Sequence, residues 1–466
     1  MDQSLLERVS RDPHRPIYHF VPPANWMNDP NGPIQVDGVY HMFYQYNPFG
    51  ANHANMHWGH ARSRDLVHWE HLPIALAPTP DGPDKDGIYS GCCVMNQGTP
   101  TIIYTGVHPQ VQCIATSDDG LLTWRKHPAN PVIATPPEGI AVTGFRDPFA
   151  WREEDGWYMV VGSGIENVGG AALLYRSPDL MSWEYLGPLC TGKLAESGHM
   201  WECPNFFPLG EAHLLAVSPY GKVIYFLGDY ADHAFEPSTS GLLDLGESWY
   251  APNSLLDDRG RRLMWGWLKE MRPREVQPEH GWAGAHSLPR ELYMHDDGAL
   301  GIKPAQELET LRGAYTRYDA LAIKPSGQGL LGDLRGDALE LVATFDPGTA
   351  ESLGLLVRQS RDGTEWTAIS YAPRTGRLAV DGSHASLDPQ ATNKEVGGEF
   401  WLNPDDLLTL HIYLDRSVIE VFANERAAIA HRVYPTRADS QGVDLFATGG
   451  TARLISLHAW EMSSIW

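Results

Sequence analysis

The amino-acid sequence predicts an all-β protein, a five-bladed β-propeller followed by a β-sandwich. Three observations predict it. A small phrase recurs at nearly constant spacing through the first 300 residues. A short apolar and aromatic run, opened by a turn, precedes each recurrence. Near residue 304 the text changes, and strand-like runs continue without the phrase.

The phrase is a Ser, an Asp shortly after it, a Leu and then an aromatic. Its copies are Ser63-Arg64-Asp65-Leu66-Val67-His68-Trp69, Ser117-Asp118-Asp119-Gly120-Leu121-Leu122-Thr123-Trp124 and Ser177-Pro178-Asp179-Leu180-Met181-Ser182-Trp183. Asp229-Tyr230-Ala231-Asp232-His233-Ala234-Phe235 is a fainter fourth. The aromatics at 69, 124, 183 and 235 are 55, 59 and 52 residues apart. The phrase reads as a turn entering an outer strand, with its aromatic packed between neighbouring units. The apolar runs at 38–46, 98–107, 156–162, 211–218 and 261–268 read as strands, because aromatic and β-branched residues bounded by Gly, Pro and Asn suit a pleated sheet. Each unit of 50 to 60 residues is too small to bury its own faces, and radial packing of such units solves the problem.

Residues 1–303 are therefore expected to form the propeller, 304–316 a linker helix on the Leu308 and Leu311 spacing, and 317–466 the sandwich. Within the last part, strands are expected at 339–345, 353–358, 366–371, 407–414 and 417–422, with turns at Asp362-Gly363 and Asp381-Gly382.

Charge narrows the function. With 35 basic and 58 acidic side chains in 466 residues, the net charge is −23. Phosphate backbones need a surplus of Lys and Arg, so no nucleic-acid partner is expected, and an anionic membrane surface is disfavoured for the same reason. The longest stretch free of Asp, Glu, Lys and Arg, 87–117, is broken by Pro100, Pro109 and several Gly, and is no membrane span. Five cysteines are too few and too odd in number for a disulfide framework, and the start has no apolar signal core. A cytoplasmic location with reduced thiols is expected. No His and carboxylate cluster has metal-ligand spacing, and no cofactor or metal is expected.

Three acids stand where structure does not require them. Asp29 lies in Asn25-Trp26-Met27-Asn28-Asp29-Pro30-Asn31-Gly32, Asp147 in Phe145-Arg146-Asp147-Pro148-Phe149, and Glu202 in Trp201-Glu202-Cys203-Pro204. Asp-Pro-Asn-Gly also reads as a plain tight turn. Yet each acid falls near the start of a unit, and a propeller gathers its first strands around one channel, so separations of 118 and 55 residues do not prevent convergence. Two carboxyls in an aromatic pocket match glycoside hydrolysis, one ionised beside the anomeric carbon and one protonated to serve the leaving oxygen. Asn28 and Arg146 are expected to hold their neighbouring aspartates charged.

On these residues the chain resembles glycoside hydrolase family 32, the invertases and other β-fructofuranosidases. Trp26 to Gly32 is similar to the family's opening motif, Arg146-Asp147-Pro148 to its second and Glu202-Cys203 to its third. Further support comes from Met42-Phe43-Tyr44-Gln45-Tyr46-Asn47-Pro48, Tyr89-Ser90-Gly91, Gly281-Trp282-Ala283-Gly284, Ser287-Leu288-Pro289-Arg290 and, in the sandwich, Leu414-Asp415-Arg416-Ser417-Val418-Ile419-Glu420-Val421-Phe422. The resemblance implies a retaining exo-hydrolase that frees terminal fructosyl residues from sucrose and short fructo-oligosaccharides. Asp29 would be the nucleophile, Glu202 the acid and base, and Asp147 the stabiliser of the transition state. Trp26, Asn28, Gln45, Trp58, Ser90, Arg146, Trp201, Cys203 and Trp282 would bind the sugar.

Fructosyl transfer to a second sugar and non-catalytic sugar binding are the alternatives. The expected partners are small neutral sugars, and the expected state is a monomer or homodimer. The chain departs from relatives at His53, where a Trp is often found, unless His57 or Trp58 takes its place after a loop shift. It also has Asn205 in place of an Asp. Around Tyr250-Ala251 the agreement is too thin to imply a role.

Overall fold

A computed structural model describes residues 2–325, 327, 329–403 and 406–466. The chain is all-β, as the sequence predicts. Five antiparallel sheets follow one another in the first part. Their opening strands are Asn25–Val36, Gly87–Asn96, Val142–Glu153, Glu202–Leu209 and Trp249–Leu256. These strands pack against one another in sequence, and the fifth packs back against the first. Trp282–Ala283 adds a parallel edge to the first strand of the first sheet.

The second strand of every sheet is one of the apolar runs: Val39–Asn47, Thr99–Val107, Gly156–Ile165, Ala212–Ser218 and Arg262–Leu268. They are buried along nearly their whole length because a strand between two others in a sheet stacked on both sides meets no water.

The recurring phrase has a local cause. Asp65 Oδ1 accepts from the amides of Val67 and His68, and Asp179 Oδ1 accepts from those of Met181 and Ser182, closing the turn from third to fourth strand. In the second copy Asp119 Oδ1 takes the Thr123 amide. Leu66, Leu121 and Leu180 sit in the left-handed region at φ 66°, 67° and 68°. The Trp69 and Trp183 indoles donate to the carbonyls of Leu66 and Leu180, so the aromatic locks the turn it follows. The faint fourth copy is built differently. Asp232 and His233, both at positive φ, make a two-residue hairpin between Ile224–Ala231 and Ala234–Leu242.

The second part is two face-to-face sheets. One runs in the order Arg312–Ile323, Ala452–Met462, Ala338–Asp346, Leu408–Asp415, Val418–Ala423, Ala427–Arg432; the other contains Ser352–Gln359, Thr367–Ala372, Arg377–Asp381, Glu395–Glu399 and Gly442–Thr448. Leu341, Phe345, Leu355, Ile369, Leu410 and Val421 fill the space between them.

Two details differ from expectation. The joint is a 3-10 helix, Gln306–Leu311, whose Leu308 and Leu311 are buried, and residues 312–316 are already sandwich strand. Arg312 holds that start in register by donating to both carboxylate oxygens of Glu340 at 2.7 Å. The segment before Asn25 joins no sheet of the first part. It crosses to the sandwich, where the amides of Ile17, Tyr18 and His19 all donate to the Asp415 carboxylate at 2.8 Å.

His19 is fully buried between Asp415 (2.9 Å) and Glu420 (3.2 Å), and Glu420 pairs with Arg290 at 2.6 Å. The phrases Ser287-Leu288-Pro289-Arg290 and Leu414 to Phe422 therefore meet as one interface. Their likeness to relatives reflects how the two parts are joined.

Candidate active site

The site begins with a repeated backbone fault. Every opening strand breaks register with its neighbour at one depth: at residues 27–30, 89–91, 146–149, 202–205 and 250–253. A bulge turns side chains that would lie along the sheet toward the channel. Asp147, Cys203 and Ala251 occupy these faults at φ 64°, 46° and 46°, each followed by Pro. Such left-handed residues cost about 1–3 kcal/mol each and survive where surrounding structure enforces them. Gly162 permits the close approach of two of these strands, since a Cβ there would lie 2.5 Å from the Trp201 carbonyl and 2.9 Å from that of Arg146.

The faults surround a cavity of about 330 Å³. Asp29, Asp147 and Glu202 line it together, with Asn28, Gln45, Ser90, Arg146 and Cys203. Asp29 accepts from Ser90 Oγ at 2.6 Å and Asn28 Nδ2 at 3.1 Å. Asp147 accepts from the Cys203 amide at 3.1 Å. Glu202 accepts from Arg146 Nη2 at 2.7 Å on one oxygen and from the Tyr250 hydroxyl at 2.5 Å on the other.

Asn28 and Arg146 favour the charged aspartates, as expected, but burial outweighs them. Burial raises Asp29 despite Ser90 and Asn28. Burial likewise pushes Asp147 up to about 7. Arg146 turns its Nη2 to Glu202 and leaves only Nε, at 3.9 Å, near Asp147. Cys203 is a buried thiol raised well above its usual value by burial and by the acids around it, so it is no nucleophile.

Four expected sugar-binding tryptophans lie outside the cavity lining. Trp58 and Trp201 are core residues whose indoles donate to the Tyr89 and Ser197 carbonyls. Trp201, just before the strand that begins at Glu202, turns its indole into the core while Glu202 faces the cavity. Trp282 is buried, donates to Asp12 and stacks under Arg272 at 4.9 Å. Trp26 stands one layer back and donates to Asn28 Oδ1 at 2.7 Å, which orients the amide toward Asp29.

The structure adds His53, Tyr89, Gln110, Tyr250, Ala251 and Trp267 to the lining. His53, against Trp26 and Tyr89, occupies the wall; His57 is buried beside Asn55 and Trp58 is core. Asn205 does not reach Glu202 and instead donates to the Cys203 and Pro252 carbonyls, tying two faults together. Tyr250 had a legible signal: Asp147-Pro148, Cys203-Pro204 and Ala251-Pro252 place a residue before Pro at matching points of successive units.

Asp29 held by Ser90 and Asn28, and Glu202 held by Arg146 and Tyr250, in one polar cavity at one end of a ring of sheets, fit a glycoside-cleaving class of enzyme. Residues 19–304 match the model of the glycosyl hydrolases family 32 N-terminal domain, and residues 307–461 that of the glycosyl hydrolases family 32 C terminal. The chain belongs to glycosyl hydrolase family 32. It is 36% identical to raffinose invertase of Escherichia coli over 99% of this chain and 98% of that protein. It is 35% identical to sucrose-6-phosphate hydrolase of Zymomonas mobilis over 96% of this chain and 92% of that one. Fructan 1-exohydrolase IIa of Cichorium intybus, solved in complex with 1-kestose, superposes with a TM-score of 0.90 at 31% identity, covering 97% of this chain and 98% of that one.

Proposed function

We propose that the protein is a retaining exo-β-fructofuranosidase acting on sucrose and short fructo-oligosaccharides. The observation that carries this is the convergence of Asp29, Asp147 and Glu202, from three sheets, on one polar cavity. Asp29 attacks the anomeric carbon of the fructosyl unit. The bond to the glycosidic oxygen breaks as Glu202 gives that oxygen its proton, leaving a covalent fructosyl-enzyme. Glu202, now ionised, takes a proton from water, which attacks the same carbon and frees Asp29.

The Tyr250 hydroxyl lies 2.5 Å from Glu202 and 2.9 Å from the Ser218 carbonyl. It can donate to the ionised acid, then turn to the carbonyl when Glu202 carries its proton. Asp147 holds fructosyl hydroxyls, and its grip strengthens as positive charge grows on the ring. Asn28 and Ser90 orient the nucleophile, and Gln45 and His53 form the wall.

The test is the anomeric outcome with methanol as acceptor. Methyl β-fructofuranoside is expected, and the α-anomer would overturn retention. Release of glucose and fructose in equal amounts at high sucrose separates hydrolysis from net fructosyl transfer.

The cyclic packing of the opening strands supports a five-bladed propeller over 1–303. The six-residue 3-10 helix Gln306–Leu311 supports a joint inside the expected 304–316, with the sandwich opening at Arg312 instead of 317. All five cysteines are free, which supports a reducing, cytoplasmic setting. No helix among the described residues is long and apolar enough to cross a membrane. A monomer or homodimer is the proposed state.

A further inference from the structure

The opening strands enclose a second cavity. Just past the faults, the same five strands line a space of about 360 Å³ at the other end of the channel, with Gln35, Met95, Arg152, Phe207, Ser254 and Arg262 on its wall. Its charge is unlike the rest of the molecule. No Asp or Glu lines it, although the chain carries 58 of them, and two arginines do.

Several interior arginines meet carboxylates: Arg272 reaches Asp12 at 2.7 Å, Arg290 Glu420 at 2.6 Å and Arg312 Glu340 at 2.7 Å, while Arg15 gives its Nη2 to the Pro22 carbonyl. Arg262 is half-buried and makes no ion pair or side-chain hydrogen bond among the described residues, and its Nε is shut off from solvent without a partner. Its guanidinium lies 4.2 Å above the Phe207 ring, which leaves the planar edge free for an acceptor. Burial alone pushes its pKa down to about 10, with no acid nearby to counter it. Arg152, exposed at the rim, stands 5.6 Å over Trp157 and is likewise unpaired.

A partly desolvated cation without a counterion is costly, and the cavity in front of it is where a counterion fits. Guanidinium donors match the oxygens of a phosphate in pairs. Ile34, Phe149 and Trp151 give the remaining wall an apolar character suited to the body of a small organic ligand. The volume lies in the range of about 300–1,000 Å³ usual for small-molecule sites.

We propose that this far mouth of the channel is a second ligand site, taking a small organic phosphate monoester with Arg262 as its inner contact and Arg152 at its rim. The site is separate from the carboxylate cavity and shares no lining residue with it.

The test is titration calorimetry of the full chain with inorganic phosphate and with fructose 6-phosphate. A single saturable event with Kd on the order of 10 μM to 1 mM is expected. It should weaken at least tenfold in Arg262→Met and severalfold in Arg152→Ala, and stay unchanged in Arg146→Met, whose lesion is in the other cavity. Phosphate alone binding as tightly as the sugar phosphate would overturn the organic part of the assignment. No heat up to about 10 mM, equal binding in both arginine variants, or loss only in Arg146→Met would overturn the site itself. Should Arg262→Met fail to fold, Arg152→Glu at the exposed rim carries the same test, with unchanged affinity overturning the proposal.

Discussion

Replacing Ser90 by alanine removes the hydroxyl that donates to Asp29 at 2.6 Å and touches little else in the cavity. Asp29 is already raised by burial, and Ser90 is the largest force acting against that rise. A hydrogen bond to a charged acceptor contributes about 1.5–3 kcal/mol. A free energy of that size is a factor of roughly ten to one hundred in rate or in protonation equilibrium.

The sign follows from the chemistry. Asp29 attacks only when ionised, and losing the donor favours its protonated form. The acid limb of kcat/KM for sucrose should therefore move to higher pH in Ser90→Ala. Activity on that limb should fall roughly ten- to hundredfold, while the rate above it changes only severalfold. The assay is kcat/KM from about pH 4 to pH 9 for both proteins. An equal loss at every pH, with the acid limb unmoved, would refute the argument that Ser90 keeps Asp29 ionised.

Four other outcomes are expected. Asp29→Ala should lose roughly four or more orders of magnitude in kcat while keeping its circular dichroism and melting temperature. Tyr250→Phe, which deprives Glu202 of one donor, should lower kcat/KM roughly tenfold, read from initial rates on sucrose. Asp147→Asn should reduce kcat/KM by a factor on the order of one hundred or more, because the growing positive charge loses a counter-charge.

The fourth concerns stability. His19 is raised above its ordinary 6.5 by Asp415 and Glu420, which outweigh its burial. Its contribution to stability is full below that value and lost as pH rises through the elevated one. Thermal melts of the unmodified protein should show a fall in melting temperature as pH rises above 6.5, and His19→Gln should melt lower and lack that component.

Much of the fold is legible because its causes are local. The second strands are continuous apolar runs, since both their faces are covered, and such runs can be read without knowing what covers them. The Asp65, Asp119 and Asp179 turns close within six residues or fewer of their own chain, so their residue types recur as text. The sandwich was harder to read. Strands such as Arg377–Asp381 and Glu395–Glu399 are short, carry charged ends and show little alternation.

By itself the sequence determined that the protein is all-β, that its first part repeats, and that Asp29, Asp147 and Glu202 are acids without a structural reason. Which neighbours those acids have was decided by tertiary structure alone. Tertiary packing sent Trp201 into the core while Glu202 faced the cavity. Five matching bulges brought Tyr250 to Glu202 across 48 residues, and Arg146 chose the distant Glu202 over the adjacent Asp147. The physical reason is that pairing and burial depend on which strands meet around the channel. That meeting brings together residues from all five units, and no single stretch of chain records it.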